Sequence, residues 1–315
     1  MQPDIAPLRS EDVPAVTSML AAAMPVEAIT PEKFARHILL DPNYRADGAL
    51  VAKAGNCVAG FIYSAMRREP LNEADARKGY ITAIGVDQRY LRQGIGTQLI
   101  AAAEAQLQQS GRTELLVSPY APAYFTPGVD LAAYPAAIEL FTKQRFEQVS
   151  RPIAMQANLW KLTEPQFVAD ARKQLTHDHV CIEPYSPPLT QPILQFARNE
   201  FGADWEIVYR DAMRSILRGE ASASRIALAH RAGTVLGITH HDGERFGPIG
   251  VAASARGRGI GQVLMYETLQ TQRRAGLQTA WFLWSDDRTA DRLYRGAGFS
   301  EFRRYVIFRK ALRSR

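Results

Sequence analysis

The sequence predicts two tandem domains of the α/β (α+β) class, each a mixed, mostly antiparallel central sheet flanked by helices. Three observations predict it: the length of 315 residues, an internal repeat, and, in each copy, short strands interrupted by a helix that opens on glycine. A chain of this length suits two domains of about 150 residues each. At 46% hydrophobic residues, each can bury a core of its own.

The repeat is ordered. Ile84-Gly85-Val86 recurs as Ile249-Gly250-Val251, and Gly94-Ile95-Gly96 recurs as Gly259-Ile260-Gly261, both at an offset of 165 residues. Val58-Ala59-Gly60-Phe61 echoes Val235-Leu236-Gly237-Ile238, and the element before Phe146 echoes the one before Phe299. One such match is chance; four in the same order indicate duplication. In the first copy, strands are expected near 4–9, 48–54, 57–66, 78–86 and 113–118, with helices near 11–24, 31–40 and 134–144. The helix GIGTQLIAAAEAQLQQSG stops at Gly111, as a glycine C-cap would stop it. A closing strand is expected over 147–160. The second copy has strands near 179–184, 224–230, 234–241 and 246–252, then a helix over 259–275. TAWFLWS follows as a strand, RTADRLYRGAG as a helix and FRRYVIFRKAL as the last strand. The expected division is therefore 1–160 and 177–315, joined by a connector over 161–176.

Composition narrows the function classes. No apolar run approaches the ~18 residues of a membrane span, and the opening MQPDIAPLRSEDV lacks the pattern of a signal peptide. Cys57 and Cys181 form no CxxC or His/Cys cluster, so a reduced, cytoplasmic, metal-free protein is expected. Residues 166–315 carry 22 Lys/Arg against 15 Asp/Glu, but no basic run with interleaved aromatics marks a nucleic-acid surface. A site for an anionic cofactor accounts for the excess as well.

Such a site is legible at Val251–Gly261, a strand followed by the basic turn ASARGRG and a helix opening at Gly259. The first amides of a helix lack partners within it and its dipole is positive there, so a diphosphate can sit against them. Arg256 and Arg258 can add charge-assisted hydrogen bonds. The first copy offers Arg92, Gln93, Gly94, Ile95, Gly96 and Thr97 in the same places. No Gly-Lys-Ser/Thr occurs, which excludes a P-loop, and the third glycine of a Rossmann turn is missing.

Arg256-Gly257-Arg258-Gly259-Ile260-Gly261 resembles the Arg/Gln-x-x-Gly-x-Gly/Ala signature of the GNAT acetyltransferases. Asp287 through Phe299 is similar to that family's Asn-x-x-Ala-x-x-Leu-Tyr-x-x-x-Gly-Phe stretch, with Asp287 in place of asparagine. The resemblance implies acetyl-CoA as cofactor, with Val251, Arg256, Gly257, Arg258, Gly259, Ile260, Gly261, Gln262 and Asp287 around it. It also implies a strand that splays from its neighbour, with Gly85 and Gly250 at a bulge, so that the backbone at Val251 and Val86 can pair with the pantetheine arm. The layout is similar to mycothiol synthases and glucosaminide acetyltransferases, which implies a small-molecule amine or amino sugar as acceptor. A CoA-binding module without turnover and a tRNA-modifying acetyltransferase are the alternatives.

For amine acetylation the resemblance places Tyr294 as general acid to the departing thiolate; its other reading is a core residue on a helix face. The first copy has Phe141 at that position and Leu91 where the signature wants Arg or Gln, so it is expected to be degenerate unless Tyr124 or Tyr134 substitutes. The usual carboxylate six residues before the valine is replaced by Tyr80 and Arg245. Glu244, His240, His241 and Asp242 lie nearby, the two histidines reading more readily as surface. Asp286 and Asp287 can attract an amine or cap a helix. Trp281 and Trp284 read as pocket or seam residues, and the loop SPYAPAYFTPGVD as a lid or contact.

Overall fold

The computed structural model describes residues 3–120 and 124–312. The chain forms two compact units: Met1–Pro152 with Arg303–Arg315, and Ile153–Phe302. Unit 1 contains β1 (Asp4–Pro7), α1 (Val13–Ala23), α2 (Pro31–Phe34), β2 (Ala49–Ala54), β3 (Cys57–Ala65), α3 (Glu73–Ala76) and β4 (Lys78–Val86). It continues with α4 (Ile95–Gln109), β5 (Glu114–Val117), β6 (Val129–Asp130), α5 (Pro135–Lys143) and β7 (Glu147–Ser150). Unit 2 runs from β8 (Ile153–Asn158) through α6 (Gln166–His177), β9 (Cys181–Pro184), α7 (Thr190–Phe201), α8 (Ala203–Leu217), β10 (Ile226–Arg231) and β11 (Thr234–Asp242). It ends with β12 (Arg245–Val251), α9 (Ile260–Arg274), β13 (Thr279–Ser285) and α10 (Asp287–Thr289), which widens into a π turn over Ala290–Tyr294. From Arg303 onward, β14 (Ser300–Ala311) belongs to unit 1.

Within unit 1 the strand order is β1-β2-β3-β4-β5-β14; within unit 2 it is β9-β10-β11-β12-β13-β8. All pairs are antiparallel except β4 with β5 and β12 with β13. The glycines of the upstream echo explain why both copies retain them. A Cβ on Gly60 would stand 3.0 Å from both Ile95 Cγ2 and Leu99 Cδ1, and one on Gly237 would stand 3.0 Å from Ile260 Cγ2 and Leu264 Cδ1. In each unit the helix after the glycine turn therefore presses on bare backbone of the sheet's middle. Ile95, Leu99, Ile100, Ala103 and Leu107 recur at helical spacing on α4 and are all buried.

The units do not follow the division into 1–160, 161–176 and 177–315. Residues 147–160 are two strands rather than one. Arg151-Pro152 interrupts them, and proline supplies no N–H to a ladder. Glu147–Ser150 pairs with β14 in unit 1, whereas Ile153–Asn158 pairs with β13 in unit 2. The expected connector holds α6, whose Val168 and Leu175 are buried in the second core. Residues 185–223, left without an element above, form the helices α7 and α8. In the loop SPYAPAYFTPGVD, residues 121–123 lie outside the described residues. Tyr120 and Phe125 are buried, which makes that part of the loop a core contact. No helix among the described residues is long and apolar enough to cross a membrane.

Arg303 fixes β14 in unit 1. Its guanidinium pairs with Glu27 and with Asp130, each at 2.5 Å, and both carboxylates are buried. Removing one partner of such a group strands the other charge, at a cost of about 3–5 kcal/mol. Arg303→Met should lower the unfolding free energy by about that amount, measured by urea denaturation, whereas removing the exposed Arg309 should change it little.

Candidate active site

β12 and β13 meet at one rung, Arg245 opposite Trp281, with the Trp281 amide donating to the Glu244 carbonyl at 2.9 Å. Beyond it, β12 has no further ladder partner on that side among the described residues. In unit 1, β4 and β5 stay paired through Ile81 and Val117 before they separate. Both units therefore contain the splay. The bulges lie elsewhere than expected: at Gly247-Pro248 opposite His240, and at Thr82, not at Gly250 and Gly85. Gly250 is needed for close approach instead, since a Cβ there would fall 2.3 Å from the Phe201 ring.

At the end of β12 the chain turns through Gly257 (φ 79°) and Gly259 (φ 80°), left-handed conformations that only glycine adopts freely. Gly259 is the N-cap of α9, so the amides of Ile260, Gly261 and Gln262 have no earlier turn to bond. They border a pocket of about 550 Å³ lined by Phe201, Ile249–Val251, the turn, and Arg288, Thr289, Arg292 and Leu293. A Cβ on Gly261 would meet only Val251 Cγ2, at 3.5 Å, so this backbone stands open.

Seven expected cofactor residues come together here: Val251, Arg256, Gly257, Gly259, Ile260, Gly261 and Gln262. Arg258 does not join them. Its guanidinium pairs with Asp178 at 2.7 Å and ties the turn to the end of α6. Asp287 does not line the pocket either, although its neighbours Arg288 and Thr289 do. Asp286 is the helix cap, its carboxylate accepting from the Thr289 amide at 2.9 Å.

Tyr294 is also off the pocket wall. It is buried among Phe246, Phe282 and Phe299, with ring centroids 6.2, 4.5 and 5.6 Å away. Burial raises its phenol well above the usual range, with the charge of Asp286 adding to the effect. Phe141 packs against Phe146 in the same edge-on manner at 5.2 Å, which makes the two positions structural equivalents.

The first turn is occupied by its own side chains. Arg92 pairs with Glu139 at 2.9 Å, Gln93 donates to the Arg89 carbonyl, and Thr97 accepts from Gln144. Gly94 caps α4 at φ 82°, Ile95 turns into the core, and Val86 is half-buried. Leu140 leaves only 3.1 Å for a Cβ on Gly96. Tyr134 donates to buried Glu27. Tyr80 donates to Asp75 at 2.5 Å. Trp281 is half-buried and Trp284 exposed, out of step because β13 shifts register between Phe282 and Ser285.

Residues 14–123 match the sequence profile of the acetyltransferase (GNAT) family, and residues 222–301 match that of the acetyltransferase (GNAT) domain. Together the matches span more than half of the chain. The chain belongs to the GNAT family. No protein of curated function matches the sequence. Among solved structures, it is similar to a fungal GCN5-related glucosamine N-acetyltransferase region in a multi-domain GH3 β-N-acetylglucosaminidase, at 17% identity and a TM-score of 0.83. That alignment covers 98% of this chain but 38% of the fungal one. A GCN5-related N-acetyltransferase from Sphaerobacter thermophilus aligns at 18% identity and TM-score 0.71, covering 99% of this chain and 96% of that one. A tandem GNAT protein from the clavulanic acid biosynthesis pathway aligns at 15% identity and TM-score 0.65, covering 99% of both.

Sequence reasoning missed two features of this GNAT pocket and the burial of a histidine pair outside its lining. Arg288 and Arg292 line it, four residues apart on the motif helix, a spacing that puts them on one helix face. Phe201 comes from a helix that was not assigned. His240 and His241, read as surface, are both buried. Burial pushes the His240 imidazole down to about 4, and His241 is lowered in the same way. A neutral buried base refuses a proton that the unfolded chain accepts below its ordinary value of about 6.5. Stability should therefore be level above pH 6.5 and fall toward pH 4, by about 3 kcal/mol for His240 alone. His240→Gln should flatten that part of the curve in pH-dependent urea titrations.

Proposed function

We propose that this chain transfers an acetyl group from acetyl-CoA to the primary amine of a small molecule, and that its second half performs the reaction. The observation that carries the reading is the pocket of unit 2, where the glycine turn, the open edge of β12 and the motif helix border one space. When bound, acetyl-CoA supplies an acetyl group activated as a thioester, which a neutral amine attacks directly. The residues present fit such a cofactor. The amides of Ile260, Gly261 and Gln262, with Arg256, would hold the diphosphate, and the backbone at Val251 would take the pantetheine arm. Arg258 serves this site by holding the turn, and Asp287 stands at the position of the family's asparagine.

Tyr294 is our candidate for the general acid. It follows Leu293 on the pocket wall, and no hydrogen bond to another described residue engages its hydroxyl. The raised pKa keeps the phenol protonated through neutral pH, as a donor to a leaving thiolate must be. We read the first half as non-catalytic. Phe141 has no hydroxyl, Arg92 of the first turn is already paired with Glu139, and Leu140 crowds Gly96. For the acceptor we favour an amino sugar, on the strength of the layout shared with the fungal region described as a glucosamine N-acetyltransferase.

Acetyl-CoA should raise the melting temperature, because a ligand that binds only the native state stabilises it by mass action. Gly261→Glu places a carboxylate in an open part of the pocket and should abolish the shift while leaving the unliganded melting temperature near that of the wild type. A shift with ATP or NAD but none with acetyl-CoA would overturn the cofactor assignment.

In a panel of amines assayed for CoA release, glucosamine-type sugars should react. Tyr294→Phe should lower kcat by roughly 10²–10⁴-fold with CoA affinity nearly unchanged. Full activity in that variant refutes the role of Tyr294. Cofactor binding without release for any amine would favour a sensing module.

A further inference from the structure

Three guanidiniums line the pocket of unit 2: Arg256 on the turn, and Arg288 and Arg292 on the helix that follows β13. Nearby arginines are engaged. Arg258 pairs with Asp178, and Arg295 pairs with Asp291, both at 2.7 Å. Arg256 gives one N–H to the Val251 carbonyl at 3.3 Å. Among the described residues, none of the three pocket arginines has a carboxylate in ion-pairing range. Like charges four apart on a helix repel each other, so Arg288 and Arg292 form an arrangement that an anion would relieve.

The duplicated unit supplies an internal comparison. At the offset of the motif helix, Pro135 and Glu139 stand where unit 2 has Arg288 and Arg292. Glu139 takes up the first turn's own arginine, accepting from Arg92 at 2.9 Å and from Lys143 at 2.6 Å. Those hydrogen bonds, Arg92 first, hold its carboxyl down at about 2, so it is ionised at any working pH. One copy therefore presents two cations without a salt bridge on this helix face, Arg288 only close enough to Asp286 to help lower its pKa, and the other presents an anion that neutralises its turn.

We infer that Arg288 and Arg292 form a second anion subsite, separate from the glycine turn, that takes a phosphate monoester: the ribose 3′-phosphate of CoA. The inference rests on the cofactor reading above. The turn amides and Arg256 already match one anionic group, the diphosphate. The two remaining cations belong to the element that follows the other strand of the splay, so they match a different group on the same ligand. A cofactor with a diphosphate and no separate phosphate leaves them without a directly paired anion. Arg288 and Arg292 are thus specificity residues, distinguishing CoA from its 3′-dephospho form.

The test is calorimetric titration of the full chain with CoA and with 3′-dephospho-CoA. Both arginines are exposed, so Arg288→Gln/Arg292→Gln and Arg292→Glu should fold as the wild type does. The wild type should bind CoA at least about tenfold more tightly than dephospho-CoA, since a hydrogen bond to a charged group is worth roughly 10–100-fold in affinity. The double Gln variant should lose that preference, weakening CoA and leaving dephospho-CoA nearly unchanged. Arg292→Glu, which installs the residue of unit 1, should disfavour CoA further. Equal affinity of the wild type for both ligands overturns the inference alone, as does equal weakening of both by the Gln variant. Binding of neither ligand by the wild type overturns the cofactor reading and the inference with it.

Discussion

The site depends on a parallel strand pair that stops pairing. A parallel ladder satisfies the facing edges of its two strands, and a backbone row left without partners must find them elsewhere. In unit 2, β12 and β13 share a single rung at Arg245 and Trp281 and then part. The elements that follow each strand are thereby set apart, with the glycine turn and α9 after β12 and the arginine-bearing helix after β13. Unit 1 keeps four rungs before its strands separate at Ile81. Its glycines there are packed by Leu140 and by Leu20, Met19 and Ala23. The same constraint yields a pocket in unit 2, whereas in unit 1 Leu140 crowds Gly96 beside the turn.

What holds the turns in register is less conspicuous. Gly60 and Gly237 are sheet glycines with no conformational peculiarity; they are bare because Ile95 and Leu99, or Ile260 and Leu264, lie against them. The helix that presents its amides is therefore seated on the sheet through contacts a methyl group would block. Gly259 is confined in a second way, since a Cβ there would fall 2.7 Å from Ala171 of α6. The paired Arg258 and Asp178 hold the same junction.

The sequence was most legible where the signal is local. KGYITAIGV and TAWFLWS coincide with β4 and β13 to the residue, and both glycine-opened helices begin one residue after their glycine. Alternation, helical spacing and a glycine cap are properties of neighbouring residues. Long-range partnership was not legible. Residues 147–160 look like one strand because nothing local reveals that Ser150 and Ile153 pair with different neighbours. Arg258 reads as a phosphate ligand until Asp178, distant in sequence, is found beside it. Arg288 and Arg292 carry no local signal of their own; it is the splay that puts their helix face on a pocket. The histidine pair reads as surface until α8 is placed, with Tyr209 about 6.1 Å from His240. Tyr294 is picked out by a local motif, but its aromatic surroundings come from three separate stretches of chain.

The path of β14 has a consequence for synthesis. A ribosome delivers β5 long before it delivers Phe308, the residue opposite Val117. All of unit 2 is made in the interval, and its sheet is complete once β13 has emerged, because β8 is already present. Unit 1 must wait with the edge of β5 uncovered, and uncovered strand edges invite pairing with other chains. The duplicated halves are thus no longer separable modules. A cut placed at the apparent connector would leave the leading fragment without β14 and the trailing one without β8, each a sheet short of an edge. With the strands exchanged, neither copy can be discarded, even the one whose turn arginine is already paired within its own unit.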